Sequence, residues 1–155
     1  MIKNILMVCT GNTCRSPMAE GLLRSMVSDS GEVGVESAGI AARAGGPPSP
    51  ETAALLAERG IGIEGFQSRM VDEQMLGNAT HVFCMTRGHL ETLEMLYPEF
   101  GDKYYLVCDF AEIEGEVGRD VPDPIGQGRA AYVRVAAFLD EAMAGILGFL
   151  KIQQP

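Results

Sequence analysis

Ile2-Lys3-Asn4-Ile5-Leu6-Met7-Val8-Cys9-Thr10-Gly11-Asn12-Thr13-Cys14-Arg15-Ser16 is the stretch that decides the fold. Ile5, Leu6, Met7 and Val8 are apolar without alternation, the pattern of a strand buried on both faces. Gly11-Asn12 interrupts it, and Ser16 followed by Pro17 reads as a helix cap and a first helical position. The stretch is therefore a strand, a loop and a helix start. Cys9 stands at the C-terminal end of the strand, facing a helix N-terminus.

Free backbone N–H groups at a helix start, joined by inward-curling loop amides, make a site for a tetrahedral oxyanion, and phosphate is the obvious guest. Gly11 and Asn12 are the residue types that enter left-handed backbone most cheaply, which lets the amides curl around an anion. Arg15 adds a planar fork for two phosphate oxygens. The same dipoles and cation favour the thiolate of Cys9, and the Ser16 hydroxyl is placed to donate to the sulfur. A lone cysteine on a strand is ordinarily structural packing, but this loop context favours a nucleophile. Thr10, Gly11, Asn12, Thr13, Cys14, Arg15 and Ser16 then form the phosphate-binding loop. In-line attack by Cys9 on phosphorus would give a phosphocysteine that water hydrolyses. Cation and amides supply the electrostatic stabilisation, so no metal or other cofactor is expected.

Outward from this stretch, the chain alternates helices and strands. Pro17 to Ser28 places Met18, Leu22 and Met26 at helical spacing, with Glu20 and Arg24 as an i, i+4 pair. Val33 to Ala38 reads as a strand ending at Gly39, and Ala41 to Pro48 as a loop. A second helix follows, capped by Ser49 with Pro50 at its first position and ending at Gly60. Asp72 to Leu76 is a short helical turn and Thr80 to Met85 a third strand. Thr86 caps a helix carrying Leu90, Leu93 and Tyr97 on one face, stopped by Pro98. Lys103 to Cys108 reads as a fourth strand, Asp109 to Asp120 as a solvated acidic loop, and Arg129 to Leu150 as a closing helix with Tyr132, Val135, Leu139, Met143 and Ile146 on one stripe. The expected architecture is α/β: a single-domain three-layer fold over residues 1–155, a four-stranded parallel sheet flanked by helices, with the phosphate loop between strand 1 and helix 1.

A chain of 155 residues is long enough to bury about two thirds of its unfolded surface in one core. Its 46% hydrophobic and 21% charged residues exclude a disordered chain. The formal charge of −9 argues against nucleic acid and anionic membranes as partners. The apolar start is too short for a signal peptide or membrane span, so a cytoplasmic location is expected. Four cysteines do not call for disulfides in such a protein, and no spacing fits a zinc site. Cys84 and Cys108 fall on core strands and read as inert. His89 reads as a surface or helix-face residue rather than a base.

The loop Cys9-Thr10-Gly11-Asn12-Thr13-Cys14-Arg15-Ser16, together with the late Asp123-Pro124, resembles the low-molecular-weight protein tyrosine phosphatase superfamily over nearly the whole chain. The resemblance implies Cys9 as nucleophile, Arg15 as phosphate ligand and Asp123 as general acid and base, held by Pro122 and Pro124. It implies that Ser37, in Ser37-Ala38-Gly39, helps hold Asn12, and that Cys14 can trap oxidised Cys9 as a disulfide. Phe66 stands where relatives commonly carry a histidine, so the hydrogen-bond network under the loop is expected to be wired differently.

Thr13 resembles the protein arginine phosphatase branch, whose loop reads Cys-Thr-Gly-Asn-Thr-Cys-Arg-Ser. A hydroxyl there can pair with a guanidinium that an isoleucine would leave unpaired. Tyrosine-specific relatives commonly have an aliphatic residue at that place and aromatic residues after Asp-Pro; this chain has Ile125-Gly126-Gln127, and Ile125 departs from the arginine branch too. The expected substrates are phosphorylated proteins, phosphoarginine first and phosphotyrosine second, with inorganic phosphate as product. An arsenate reductase would need a redox cysteine pair that Cys84 lacks before Cys108. A non-catalytic phosphoprotein-binding module would be expected to have lost Cys9 or Asp123.

Overall fold

The computed structural model describes residues 2–27 and 31–152. A four-stranded, all-parallel sheet runs in the order β2-β1-β3-β4, formed by β1 (Lys3–Cys9), β2 (Val33–Gly39), β3 (His81–Cys84) and β4 (Tyr104–Leu106). The helices are α1 (Arg15–Met26), α2 (Pro50–Glu58), α3 (Glu73–Asn78), α4 (Arg87–Leu96) and α5 (Arg129–Leu150). β1 is central and buried on both faces, which is why its apolar run does not alternate. Ile5, Met7 and Cys9 face one core with α1, α2 and α5, and Leu6 and Val8 face another with Leu76 and Leu93 from α3 and α4. The chain thus forms an α/β sheet covered by helices on both sides. It leaves the C-terminal ends of β1 and β3 at the point where strand order reverses, the usual place for a ligand site in such sheets.

Most elements lie where the residue pattern puts them. α2 begins at Pro50, with the Ser49 side chain accepting from the Thr52 N–H. α4 is capped by Thr86, whose hydroxyl accepts from the His89 N–H, and ends before Tyr97 and Pro98. α5 spans Arg129–Leu150, with Tyr132, Val135, Leu139, Met143 and Ile146 all buried.

Four expectations need correction. α1 starts at Arg15, with Cys14 rather than Ser16 in the capping place and no side-chain cap; the Ser16 hydroxyl is engaged by the phosphate loop instead, so Pro17 is the third helical residue. The same helix ends at Met26, and Ser28 lies outside the described residues. The fourth strand keeps only Tyr104–Leu106 of the expected Lys103 to Cys108. It is flanked by 3-10 turns at Pro98–Lys103 and Val107–Phe110, because Asp109 accepts from the Leu106 N–H and the chain turns to bury Val107 and Cys108 beneath α5. Within the acidic segment, β5 (Glu112–Ile113) and β6 (Glu116–Val117) form a small antiparallel hairpin that buries Ile113 in the core while its carboxylates remain exposed.

Two glycines of α5 test how closely that helix is seated. A Cβ on Gly145 would meet the Phe110 carbonyl oxygen at 2.2 Å and its carbon at 2.7 Å, whereas one on Gly148 would meet nothing within 4 Å. Gly148→Ala should therefore stabilise the protein by about 0.5–1 kcal/mol through helix propensity. Gly145→Ala should destabilise it by about 1–3 kcal/mol despite the same propensity gain. Urea denaturation of the two variants checks this, and equal shifts would contradict the close approach.

Candidate active site

The loop 10–14 is built between β1 and α1 from residues the sheet holds on both sides. On the β2 side, Ile40 N–H donates to the Cys9 carbonyl and Ala41 N–H to the Thr10 carbonyl, each at 3.0 Å. The approach is close enough that a Cβ on Gly39 would lie 2.4 Å from the Thr10 carbonyl oxygen and 3.0 Å from the Asn12 nitrogen. Glycine after Ser37-Ala38 is thus required by the loop beside it.

Asn12 turns the loop with a left-handed φ of 56°. Its carboxamide is fully buried and used in three directions. Nδ2 donates to Ser16 Oγ and Ser37 Oγ, both at 2.9 Å, and Oδ1 accepts from the Arg69 N–H at 3.0 Å. Ser37 in turn donates to the buried Glu20 carboxylate at 2.7 Å, which pairs with Arg24 at 3.0 Å. Among the described residues no imidazole takes part in these Asn12 bonds. Phe66 has no polar side-chain atom to offer, and it lines a cavity of about 460 Å³ behind the loop with Glu20, Ser37 and Arg69.

Cys9 Sγ lies 2.9 Å from Ser16 Oγ and accepts from the Asn12 N–H at 3.3 Å. Because Ser16 Oγ already accepts from Asn12, its own proton is free to point at the sulfur. The Arg15 guanidinium is buried: Nη1 donates to the Val121 carbonyl at 3.0 Å, and Nη2 lies 3.8 Å from Asp123 Oδ2. Val121 is itself held by its N–H donating to the Met85 carbonyl at the end of β3. Asp123 is exposed, and its Oδ1 accepts from the Ile125 N–H in a local turn, with Ile125 exposed beside it. The structure therefore brings Cys9, Ser16, Arg15 and Asp123 around one place. A sulfur, a cation, loop amides and a carboxylate converge there, a set able to attack a phosphoryl group, stabilise its charge and protonate what leaves.

Thr10 is exposed and Thr13 half-buried. The hydroxyl of Thr13 lies 3.8 Å from where a Cβ on Gly11 would be and 3.6 Å from Cys14 Sγ. Cys14 is buried, and its sulfur lies 3.3 Å from the Tyr132 hydroxyl of α5. Burial, reinforced by the Cys14 contact, pushes the Tyr132 hydroxyl up to about 12. All four cysteines are free thiols. Burial pushes Cys84 above the ordinary thiol range and Cys108 up to about 12, in keeping with inert core residues.

His89 corrects the sequence reading. Rather than lying on the surface it is buried, with Nε2 2.8 Å from Thr10 Oγ1. Burial and the Arg15 guanidinium pull it down to about 4, against the opposing pull of Asp120 and Asp123, so the ring is neutral near pH 7. Glu20 and Arg69 were also missed as parts of the loop's support. Helical spacing identified Glu20 only as half of an ion pair. The available signal for His89 was its place: it lies in the first turn after β3, and that turn opens at the same sheet edge as the loop.

Known proteins resemble this chain over almost its full length. The family model described as "Low molecular weight phosphotyrosine protein phosphatase" matches residues 4–154. The low molecular weight protein-tyrosine-phosphatase Wzb of Escherichia coli K12 is 33% identical over 142 residues, covering 92% of this chain and 91% of the relative. The protein-arginine-phosphatase of Bacillus subtilis 168 is 33% identical over 149 residues, covering 96% and 97%. The crystal structure of a YwlE mutant from Bacillus subtilis superposes with a TM-score of 0.86 at 32% identity, covering 96% of this chain and 99% of that one.

The role given to Asn12 can be separated into backbone and side-chain parts. Asn12→Ala and Asn12→Gly both lose the three carboxamide bonds and should each lower stability by about 2–4 kcal/mol. The glycine variant should be the more stable of the two by about 1 kcal/mol, because alanine alone bears the left-handed strain. Chemical denaturation measures both; an alanine variant as stable as the glycine one would remove the strained turn from the account.

Proposed function

The chain belongs to the low molecular weight phosphotyrosine protein phosphatase family, and we propose that within it this protein hydrolyses phosphoarginine on proteins through a phosphocysteine intermediate. Cys9 attacks phosphorus in line, the phosphoryl oxygens resting on the loop amides and the Arg15 fork. Asp123, protonated, gives its proton to the leaving nitrogen as the P–N bond breaks. The same carboxylate, now ionised, takes a proton from water as that water attacks the phosphocysteine, and the thiolate leaves with inorganic phosphate as the product. Ser16 supports the thiolate at the start and end of the cycle. Arg15 also donates to the carbonyl of Val121, two residues before Asp123, so the phosphate ligand and the acid share one anchor.

The observation that carries the choice of substrate is Thr13. Its side chain is half-buried with the hydroxyl beside Gly11, a hydrogen-bond acceptor in the loop that a guanidinium can use and a phenol ring cannot. A guanidinium is cationic, and the exposed carboxylate of Asp120 near the site suits it. The relatives include both a protein-arginine-phosphatase and protein-tyrosine-phosphatases at equal identity. Tyrosine hydrolysis is the second reading, favoured by the exposed apolar side chain of Ile125 after Asp123-Pro124. Cys14, buried one residue from Arg15 in the loop, is proposed as the thiol that traps oxidised Cys9.

Thr13→Ile tests the substrate assignment within one enzyme. Loss of the hydroxyl should cost phosphoarginine about 5- to 150-fold in kcat/KM, the equivalent of roughly 1–3 kcal/mol for a buried polar group left unpaired. Phosphotyrosine should be unchanged or improved. Measuring both substrates on wild type and variant cancels any shared defect in folding or nucleophile. An unchanged ratio would place the tyrosine reading ahead.

A further inference from the structure

His89 is used by no step of the chemistry above, yet it joins the two halves of the site. It is 5% exposed, and its Nδ1 is buried without a hydrogen-bond partner among the described residues. An orphaned lone pair costs less than an orphaned N–H, so the neutral ring carries its proton on Nε2 and donates it to Thr10 Oγ1, 2.8 Å away. Thr10 is the residue after the nucleophile. Ser37 and the Arg69 backbone N–H hold Asn12 from the β2 side, and Thr52 of α2 and Tyr132 of α5 hold Cys14. Among the described residues His89 is the side chain that ties the loop to α4.

The start of α4 is tied to the loop carrying Asp123. The Arg87 N–H donates to Asp120 Oδ1 at 2.9 Å, and the Met85 carbonyl at the end of β3 accepts from the Val121 N–H at 2.9 Å. A continuous route therefore runs from Cys9-Thr10 through His89 and the first turn of α4 to Asp120-Val121 and on to Asp123. The other route between the two loops is Arg15, through the Val121 carbonyl and the 3.8 Å contact with Asp123. A bound phosphoryl group competes for that guanidinium and leaves the His89 route untouched.

We propose that His89 is a positioning residue that holds the nucleophile loop in register with the loop carrying the general acid, so that Asp123 meets the leaving group once Arg15 is engaged by phosphate. This rests on Asp123 acting as the general acid. Its effect must then depend on how much protonation the leaving group needs, which a residue supporting the fold alone would not produce.

The test compares kcat/KM for phenyl phosphate, a poor leaving group, with p-nitrophenyl phosphate, an activated one. His89→Leu should lower the first by about 10-fold or more and the second by no more than about 3-fold, misplacement of a catalytic group being costly only where that group is needed. His89→Gln, which keeps an N–H donor at similar reach, should recover most of the loss. Thr10→Val, which leaves His89 in place but removes its partner, should shift the ratio of the two rates in the same direction whatever it does to both, and serves if His89→Leu does not fold. Added to Asp123→Asn, His89→Leu should cost less than about 2-fold further. Equal losses on both substrates, or a full additional loss in the Asp123→Asn background, would overturn the proposal. Should Asp123→Asn itself treat the two substrates alike, the general-acid assignment fails and the proposal with it. That result is distinguishable because it appears without any change at His89.

Discussion

The left-handed turn at Asn12 is the constraint on which the site depends. A non-glycine residue holds that conformation at a cost of about 1–2 kcal/mol, and here the cost is met by a carboxamide bonded to Ser16, Ser37 and the Arg69 backbone. Each bond fixes something else. The Ser16 bond orients a hydroxyl toward the sulfur of Cys9, the Ser37 bond connects the loop to β2 and Glu20, and the Arg69 bond connects it to the strand-like segment beside Gly39. With the turn fixed, the Asn12 N–H points at Cys9 Sγ. The sulfur therefore lies where the buried run of β1 meets the loop amides, with the Asn12 N–H and the Ser16 hydroxyl on it.

Arg15 does the corresponding work on the far side. A guanidinium this buried needs partners, and it has the Val121 carbonyl and the nearby Asp123 carboxylate. In a chain with a formal charge of −9, this cation and the aligned amides make the local field at Cys9 opposite in sign to the protein's overall field. Short-range groups at low exposure outweigh distant, screened ones, which is how the proposed phosphate site is compatible with an acidic protein.

Much of this was legible in the sequence because it is local. A strand without alternation, a Gly-Asn turn, an arginine six residues beyond a cysteine and a long stripe from Tyr132 to Ile146 are patterns within one element, and the structure contains each of them. The parts that were not legible depend on which elements meet. Ser16 followed by Pro17 carries the mark of a helix cap, but the hydroxyl is worth more to Cys9 and Asn12 than to a backbone N–H, so α1 starts at Arg15. His89 has the spacing of a helix-face residue, and only the parallel order β1-β3 brings that face against Thr10. Lys103 to Cys108 has strand composition throughout, yet the need to pass beneath α5 turns the chain after Leu106. Ser37 was expected to hold Asn12 and does, but Phe66 announced a different network without saying what else entered it; the answer lies in the Arg69 backbone and Glu20, distant in sequence from one another.

The central claim is that phosphate reaches water only by way of the Cys9 sulfur. Two successive in-line displacements restore configuration at phosphorus, and one displacement inverts it. The direct measurement is the stereochemical course of transfer of an isotopically chiral phosphoryl group from an aryl ester to an alcohol acceptor, read by phosphorus NMR. Retention is the result this account predicts. Inversion would show water or alcohol attacking the substrate directly, and would contradict a phosphocysteine intermediate.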